Sequence, residues 1–543
     1  MKRIQPLLLF GLFLFGSAFS RANQSATIIT DDPVTFVQGA GHLARHVRPE
    51  EIFTVVSTTG DEITLSDRHG FQATLKRGFV KFIDAVPSSG STNAVIPSTN
   101  PASAVVATNN PPASPPPATK VPATPAAVDP EDAQKLKRLN DVLQIPLFAD
   151  ANLWGDDVAD VAVRLKWPRE SQTSYDCSYR RYALDADEPV SVLGARAYSL
   201  ALYGKQGHPT YISIVFANKG DFAGLEPLAR KAKEKTPITS TEGEQALKDL
   251  NAAIEADADA IDLKMTAALG ESETHVYGST ADSRESVHRW NWKGHAILLA
   301  SARNEYTTIK IVPSEVADHY GDVANMDRET IKAEVAKRVV KNDNSDVLLT
   351  DIPMVDQGPK GYCVPATWER YLRYVDVPAD MYVLAVLGNT GFQGGTSVGA
   401  IRAGMNNYVS FYGRRIESAD VALDIPHVQK FINQGLPLMW TCLVTKETEQ
   451  KINLHTTERQ TLTGPADWEK YRHHLDEEDK SLAPLTRDDP TIMGAHMRLI
   501  IGYNSVTQEF AISDSWGSSY ALRWISVREA QSTHLGSLDY IQW

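Results

Sequence analysis

The sequence predicts an α+β protein in which several folded units follow one another along the chain. Three observations predict this class: short alternating strands near the N terminus, a proline-rich stretch after them, and mixed helical and strand-like periodicity in the remainder. The 543 residues exceed a single compact domain, which typically holds roughly 150 residues. Acidic side chains outnumber basic ones by 67 to 54. This excess opposes broad binding to nucleic acid or to an anionic membrane surface, so we expect no nucleic-acid partner.

Residues 1–22 are typical of a secretory signal peptide. Two basic residues precede an apolar run from Leu7 to Phe19, and small residues follow it. That run is too short for a stable membrane span, and no later segment is long and apolar enough to cross a bilayer. We therefore expect an exported chain, periplasmic, at the cell surface or extracellular, with no transmembrane span in its mature form. A short anchor that stays uncleaved is the alternative.

Residues 30–86 contain four or five short alternating segments separated by turn formers such as Thr59-Gly60-Asp61. The arrangement resembles bacterial SH3-like modules, which are small β-barrels. This resemblance lies in architecture alone and assigns no binding residue; the partner it suggests is a cell-wall or envelope component. Residues 87–128 contain ten prolines and a single charged residue, so we expect a semi-stiff linker there.

Residues 129–345 predict an α+β domain of unknown function. Strand pairs around Tyr198–Phe216 and His295–Val312 have the pattern of hairpins, and the spacing of apolar residues over Gly243–Leu269 predicts a helix between them. We find no catalytic constellation in this segment, because its histidines are scattered: His208, His288 and His295.

The chain contains three cysteines, Cys177, Cys363 and Cys442. Three cysteines exclude a disulfide scaffold and a cysteine-built zinc site, and the CxxC and HExxH motifs are absent. We therefore expect no metal and no organic cofactor. Cys177 lies in a polar stretch without a neighbouring histidine, so a free structural thiol is the interpretation there. Cys442 follows an apolar, strand-like run, and burial is its expected role.

Cys363 lies where a loop rich in glycine and proline leads into a helix. Pro365 suits a first helical turn, and apolar residues recur at helical intervals up to Tyr374. The unpaired backbone N–H groups of a helix start stabilise a thiolate, which is the nucleophilic form of cysteine. The sequence therefore indicates a candidate nucleophile at Cys363.

His496 and Asp514 lie on a predicted hairpin further along the chain. His496 belongs to a strand that runs to about Asn504, and Asp514 follows the next strand, just before Trp516-Gly517. A histidine in this position can accept the proton of a thiol, and an aspartate can fix the tautomer of the imidazole.

The separation of 133 residues between Cys363 and His496 is typical of papain-type chains. Residues 346–543 carry three further matches: Gln357 six residues before the cysteine, the run Gly-Tyr-Cys-Val-Pro-Ala-Thr, and the closing Asp-Ser-Trp-Gly. On these motifs the C-terminal domain resembles papain-like cysteine peptidases, specifically the bacterial branch similar to bacteriocin-leader-processing peptidases of the double-glycine type.

The resemblance implies a papain-like fold and hydrolysis of peptide bonds in a peptide or protein substrate. It implies that Cys363 is the nucleophile, that His496 is the general base and then the acid, that Asp514 orients the imidazole, and that Gln357 donates to the oxyanion. The polar insertion Val444–Met493 departs from the pattern. We expect a lid, an exosite or a solvated loop there. Gly391–Gly399 could form a backbone wall for an extended substrate.

Two other functions remain open from the sequence. Papain-like sites also transfer acyl groups to amines, so an acyl transferase or amidase is one alternative. The other is a non-catalytic envelope-binding protein with a degenerate peptidase domain.

Overall fold

The structure is a computed structural model of the whole chain. It describes seven strands between Ser25 and Ile83 together with Arg77, and residues 130–543 apart from gaps at 183–189, 223–224, 226–227, 229–230, 232–235, 237, 359, 392–394, 481 and 487. The predicted signal peptide and linker lie outside these residues, as does the centre of the proposed Gly391–Gly399 wall. The chain divides into two compact units, Met1–Ala123 and Thr124–Trp543.

The described part of the first unit is a seven-stranded antiparallel sheet with the order β3-β2-β6-β5-β4-β1-β7. Its strands are β1 Ser25–Ile28, β2 Val34–Gln38, β3 Gly41–Arg45, β4 Phe53–Thr59, β5 Glu62–Ser66, β6 Gln72–Lys76 and β7 Val80–Ile83. The alternation expected of half-buried strands is clear in β5, where Ile63 and Leu65 are fully buried. Strands β1 and β3 were not predicted from the sequence, and the SH3-like likeness stays a prediction.

The second unit contains two large sheets, which confirms mixed helix and strand content. The middle sheet has the order β14-β15-β16-β17-β13-β12-β9-β8. Its strands, with the small hairpin β10–β11, are β8 Arg169–Gln172, β9 Asp176–Tyr182, β10 Ser191–Val192, β11 Ala195–Arg196, β12 Ser199–Lys205, β13 His208–Asn218, β14 Glu273–Tyr277, β15 Glu285–Trp292, β16 His295–Ala302 and β17 Tyr306–Pro313. Both predicted hairpins are confirmed as β12–β13 and β16–β17.

The C-terminal sheet has the order β18-β19-β22-β21-β25-β20, and β23 and β24 extend it from β22. Its strands are β18 Val339–Lys341, β19 Asp346–Leu349, β20 Arg415–Ser418, β21 Leu438–Thr445, β22 Ile492–Asn504, β23 Glu509–Ser513, β24 Arg523–Ser526 and β25 His534–Gln542. The hairpin β18–β19 spans residues 345 and 346, where we placed the boundary between the two C-terminal domains.

Twelve α-helices lie within the described residues. They are α1 Pro130–Leu143, α2 Val158–Leu165, α3 Ser240–Leu269, α4 Ser314–Asp318, α5 Arg328–Lys337, α6 Cys363–Tyr374, α7 Met381–Leu387, α8 Val398–Phe411, α9 Ile425–Ile432, α10 Lys446–Arg459, α11 Pro465–Asp479 and α12 Val527–Thr533. A capping box of Thr239 and Glu242 begins α3, as this motif does at many helix starts. None of the helices in this part of the chain combines the length and apolar character that crossing a bilayer requires.

Helix α6 lies between the two large sheets and is buried along its whole length after Cys363. One side packs Trp368, Tyr371 and Leu372 into the core of the C-terminal sheet. The other side packs Ala366 into a cluster with Tyr182 and other residues of the middle sheet. Helix α3 covers the opposite face of the middle sheet. The central strands of this sheet are therefore buried on both faces and carry apolar residues on each. The helix that begins with Cys363 therefore depends on both sheets for burial.

Most of the insertion Val444–Met493 forms two helices, Lys446–Arg459 and Pro465–Asp479, so the expectation of a solvated loop is wrong for these residues. Helix α10 buries Ile452, His455 and Arg459, and α11 buries Tyr471 and Leu475. The Arg459 guanidinium lies 3.6 Å from the centroid of the Trp524 ring on β24 and pairs with two buried carboxylates. These polar anchors order a segment that has few apolar residues.

Candidate active site

Cys363 is the first residue of α6, the position that the sequence predicts, and it is partly exposed. No side chain caps this helix start. The backbone N–H of Val364 is therefore available to the sulfur, and its hydrogen bond favours the thiolate. One turn later, the Thr367 hydroxyl donates to the carbonyl of Met497 at 3.1 Å. This bond ties the start of α6 to the strand that carries His496.

The side chains of Cys363 and His496 interact, and each shifts the pKa of the other. Desolvation disfavours the thiolate, but the hydrogen bond and the charge of His496 outweigh it and lower the pKa of Cys363. Desolvation also disfavours the imidazolium, but the hydrogen bonds to Asp514 and Cys363 raise the pKa of His496. The two shifts have opposite signs, so each charged form stabilises the other. The arrangement favours a thiolate–imidazolium pair.

Asp514 accepts a hydrogen bond from Nε2 of His496 at 2.9 Å, which leaves Nδ1 for the sulfur. Two buried arginines hold the carboxylate from the other side: Nε of Arg498 lies 3.1 Å from Oδ1, and Arg523 donates to Oδ2. Burial alone would raise the pKa of Asp514, but Arg498, His496 and Arg523 lower it far below its usual range. The carboxylate is therefore ionised at every physiological pH.

Glu449 on α10 balances the charge of the two arginines. Its two carboxylate oxygens accept from Arg498 at 2.8 Å and from Arg523 at 2.7 Å.

The Trp516 ring stacks on the His496 ring, with centroids 4.4 Å apart and an interplanar angle of 28°. Trp516 thus covers one face of the imidazole, and His496 and Asp514 are both buried, a setting of low dielectric that strengthens their hydrogen bond.

Gln357 lies in the loop before α6 and is buried. Its Nε2 donates to the carbonyl of Lys360 at 2.8 Å, and its Oε1 accepts from the Ser515 hydroxyl at 2.8 Å. Its backbone N–H also donates to the carbonyl of Ser515 at 2.9 Å. The carboxamide orientation is therefore set, and the described residues provide one acceptor for the two Nε2 hydrogens, which leaves the second for another acceptor.

The other residues singled out from the sequence lie apart from this group or are inert. All three cysteines are free thiols. Cys442 pairs with His496 across β21 and β22, but burial raises its pKa to about 12. Cys177 is buried in β9, where burial and then Asp176 raise its pKa to about 11. His208, His288 and His295 belong to the middle sheet, where His295 is fully buried and its pKa is lowered by desolvation.

Sequence reasoning missed Arg498, Arg523 and Glu449 as parts of the site, and it named Trp516 only as part of a motif, without a role. A signal existed for Arg498, because residues two apart on a strand share a face and Arg498 is two residues after His496. For Glu449 and Arg523 no local signal exists, since their partners are distant in sequence.

Taken together, the geometry can support attack by a thiolate on an electrophilic carbon and proton transfer by an adjacent imidazole. The oriented Gln357 amide lies in the loop that precedes the helix carrying the thiol.

No family model matches the chain, and no curated protein matches it. Among solved structures, the chain is similar to the crystal structure of xylellain, a cysteine protease from Xylella fastidiosa. The match has 16% sequence identity and a TM-score of 0.23, and covers 41% of this chain and 93% of that chain.

Proposed function

We propose that the chain is a cysteine peptidase that hydrolyses peptide bonds through Cys363, His496 and Asp514. The thiolate of Cys363 attacks the carbonyl carbon, and the imidazolium of His496 protonates the leaving amine, which releases an amine product and an acyl-thioenzyme. Water, deprotonated by His496, then attacks the thioester; the carbon–sulfur bond breaks, the acyl group leaves as a carboxylic acid, and the Cys363 thiolate is restored beside the imidazolium. Neither step needs a metal or an organic cofactor.

The observation that supports this proposal is the juxtaposition of Cys363 and His496, whose pKa values shift in opposite directions, with the hydrogen bond from His496 to the ionised Asp514. Each residue has the character that its role requires: a thiol at an uncapped helix start, an imidazole whose Nε2 is bound to Asp514, and a carboxylate held by two arginines. We assign the free Nε2 hydrogen of Gln357 to the oxyanion, a contribution usually on the order of 3–4 kcal/mol to the barrier.

We expect a bell-shaped dependence of kcat/KM on pH for a peptide substrate. Activity rises as the Cys363 thiolate forms, at a pH below the ordinary thiol pKa because that pKa is lowered. It falls as His496 loses its proton, at a pH above the ordinary imidazole pKa because that pKa is raised. The two apparent pKa values of this profile belong to Cys363 and His496 as a coupled pair, not to either residue alone.

The ionisation of Cys363 and His496 is measured independently by the rate at which 2,2′-dipyridyl disulfide labels Cys363 as a function of pH. We expect rapid labelling at about pH 6, where an ordinary thiol is almost fully protonated. Labelling that follows a single ionisation near about pH 8.5 would contradict the proposal.

Asp514→Asn is expected to lower kcat by up to about 10⁴-fold, because a neutral amide no longer stabilises the positive charge of the His496 imidazolium. It also removes the negative charge shared by Arg498 and Arg523, so the free energy of unfolding is expected to fall by roughly 3–5 kcal/mol. Peptide hydrolysis and denaturant unfolding measure the two effects. Asp539→Asn provides the control, since Asp539 is a buried aspartate paired with Arg402. A variant at Asp514 with wild-type kcat would remove this residue from the mechanism.

Acyl transfer to an amine is the second candidate, because the acyl-thioenzyme is common to both reactions. Mass spectrometry of the products in the presence of a primary amine separates hydrolysis from transfer. A protein with an intact fold that neither turns over peptides nor labels at acid pH would instead be the non-catalytic binding protein.

We further propose that the protein acts outside the cytoplasm, on the basis of its first 22 residues. Cell fractionation with N-terminal sequencing of the mature chain tests this location. Binding of an envelope component by the N-terminal sheet remains a proposal from architecture alone.

A further inference from the structure

The loop that carries Gln357 contacts the middle sheet along its length. Ser174 binds the Asp351 carboxylate through its backbone N–H at 3.0 Å and its hydroxyl at 2.7 Å. The Ser171 hydroxyl accepts from the backbone of Met354 at 2.9 Å. These contacts come from β8 and from the turn before β9, so the middle sheet aligns the first half of the loop.

The contacts continue to the residue next to Gln357. The Glu170 carboxylate accepts the backbone N–H of Asp356 at 2.9 Å, and the Tyr182 hydroxyl donates to the carbonyl of Asp356. Both backbone groups of Asp356 are thus held by side chains of the middle sheet. The backbone of Gln357 is held from the other side by Ser515.

Lys360 ends this series and is the most deeply buried charge in the loop. Its ammonium donates to Asp221, just beyond the end of β13, at 3.0 Å, and the two side chains are only 1% and 4% exposed. The Tyr382 hydroxyl donates to the other oxygen of Asp221 at 3.0 Å. The ammonium also lies 4.7 Å from the centroid of the Tyr182 ring. A buried lysine that is paired in this way has little freedom to move.

The carbonyl of Lys360 is the acceptor for Nε2 of Gln357. The side chain of Lys360 is therefore anchored in the middle sheet while its backbone orients the Gln357 amide. Residue 220 is glycine, and a Cβ there would come within 2.8 Å of the Lys360 side chain. Close packing thus holds the lysine from this side as well.

We propose that the ion pair between Asp221 and Lys360 positions Gln357 for oxyanion stabilisation, so that residues 129–345 serve as a positioning element of the active site. Neither residue touches the reacting atoms; both act through the backbone of the loop. The proposal rests on the function proposed above and assigns a role to the segment in which sequence analysis found none.

The test compares two readouts in the full chain carrying Asp221→Asn together with Lys360→Met. This pair of substitutions removes both charges at once, so no unpaired charge remains buried. Hydrolysis of a peptide requires oxyanion stabilisation, whereas the reaction of Cys363 with 2,2′-dipyridyl disulfide forms no oxyanion. Glu285→Gln with Lys310→Met is the matched control, because it removes another ion pair of the middle sheet, which is partly buried, at 2.9 Å.

We expect kcat/KM for the peptide to fall by about tenfold to a hundredfold, within the roughly 10²–10³-fold loss expected for Gln357→Ala. Labelling of Cys363 should stay within about twofold of the wild type, and the control should retain both rates. Combining the double variant with Gln357→Ala should cause no further loss, since both changes disable the same donor.

Three outcomes would overturn the proposal while leaving the peptidase assignment intact. These are an unchanged kcat/KM in the double variant, a loss of labelling parallel to the loss of hydrolysis, and losses that multiply with Gln357→Ala. A wild-type protein that labels rapidly at acid pH but hydrolyses no peptide would overturn the proposed function and this inference together.

Discussion

Replacing Cys363 with alanine is expected to lower kcat for peptide hydrolysis by about six orders of magnitude. Removal of the nucleophile has an effect of this size in serine peptidases, because the remaining residues of the triad cannot act without it. The variant should fold normally, since the thiol is partly exposed and lies at the N-terminal end of α6. Hydrolysis of a peptide library, followed by mass spectrometry, measures the loss.

The matched control is Cys442→Ala, which changes a thiol of the neighbouring strand that burial keeps protonated. We expect this variant to retain activity and labelling at acid pH, at a modest cost in stability. A Cys363→Ala protein that still cleaves peptides at the wild-type rate would disprove the assignment of the nucleophile. Loss of acid-pH labelling only in Cys442→Ala would place the reactive thiol at Cys442 instead.

A fragment of residues 324–543 is expected to be inactive and not to unfold cooperatively. It retains every strand of the C-terminal sheet but lacks the middle sheet, which covers one side of α6. Loss of the middle sheet would expose Tyr362, Ala366 and Met381, which are all buried in the whole chain. Exposing apolar surface to water costs roughly 25 cal/mol per Å² of free energy.

The same truncation would remove the ionic partners of α6. Arg373 pairs with Asp176 of β9, and Glu369 lies 3.8 Å from Arg180. Burial raises the pKa of Glu369 to about 7, against the lowering effect of Arg180 and Arg373, which shows how closely this helix is enclosed.

A fragment of residues 124–543, which matches the second compact unit, is the control. We expect it to fold and to hydrolyse the peptide at the rate of the full chain. Thermal unfolding and hydrolysis distinguish the two fragments. Equal activity in both would show that the middle sheet is dispensable and would also contradict the role assigned to Asp221 and Lys360.

Much of the local structure around the site could be predicted from the sequence. Pro365 and the helical spacing up to Tyr374 predicted the helix with Cys363 at its start, and the alternation around His496 predicted its strand. The structure confirms both elements. These predictions succeeded because they depend on neighbours within a few residues.

The insertion was harder to predict because its helices have little apolar periodicity. Helices α10 and α11 are ordered by polar partners that lie elsewhere in the chain: Arg459 pairs with Asp346 and Glu509, and Tyr471 donates to Glu509 at 2.8 Å. Such pairs join residues that are dozens of positions apart in the sequence, so no local sequence pattern predicts them. The same reason hid Glu449, whose partners Arg498 and Arg523 lie on β22 and β24.

The identities and order of Gln357, Cys363, His496 and Asp514 were readable from the printed residues, because helix starts, strands and turns have local signatures. Only the tertiary structure determines what surrounds them: two arginines and a glutamate near Asp514, a tryptophan stacked on His496, and the middle sheet packed against the Gln357 loop. Those arrangements depend on which surfaces pack together and on which buried charges find partners. Both follow from contacts between distant segments, so they exist only in the assembled unit.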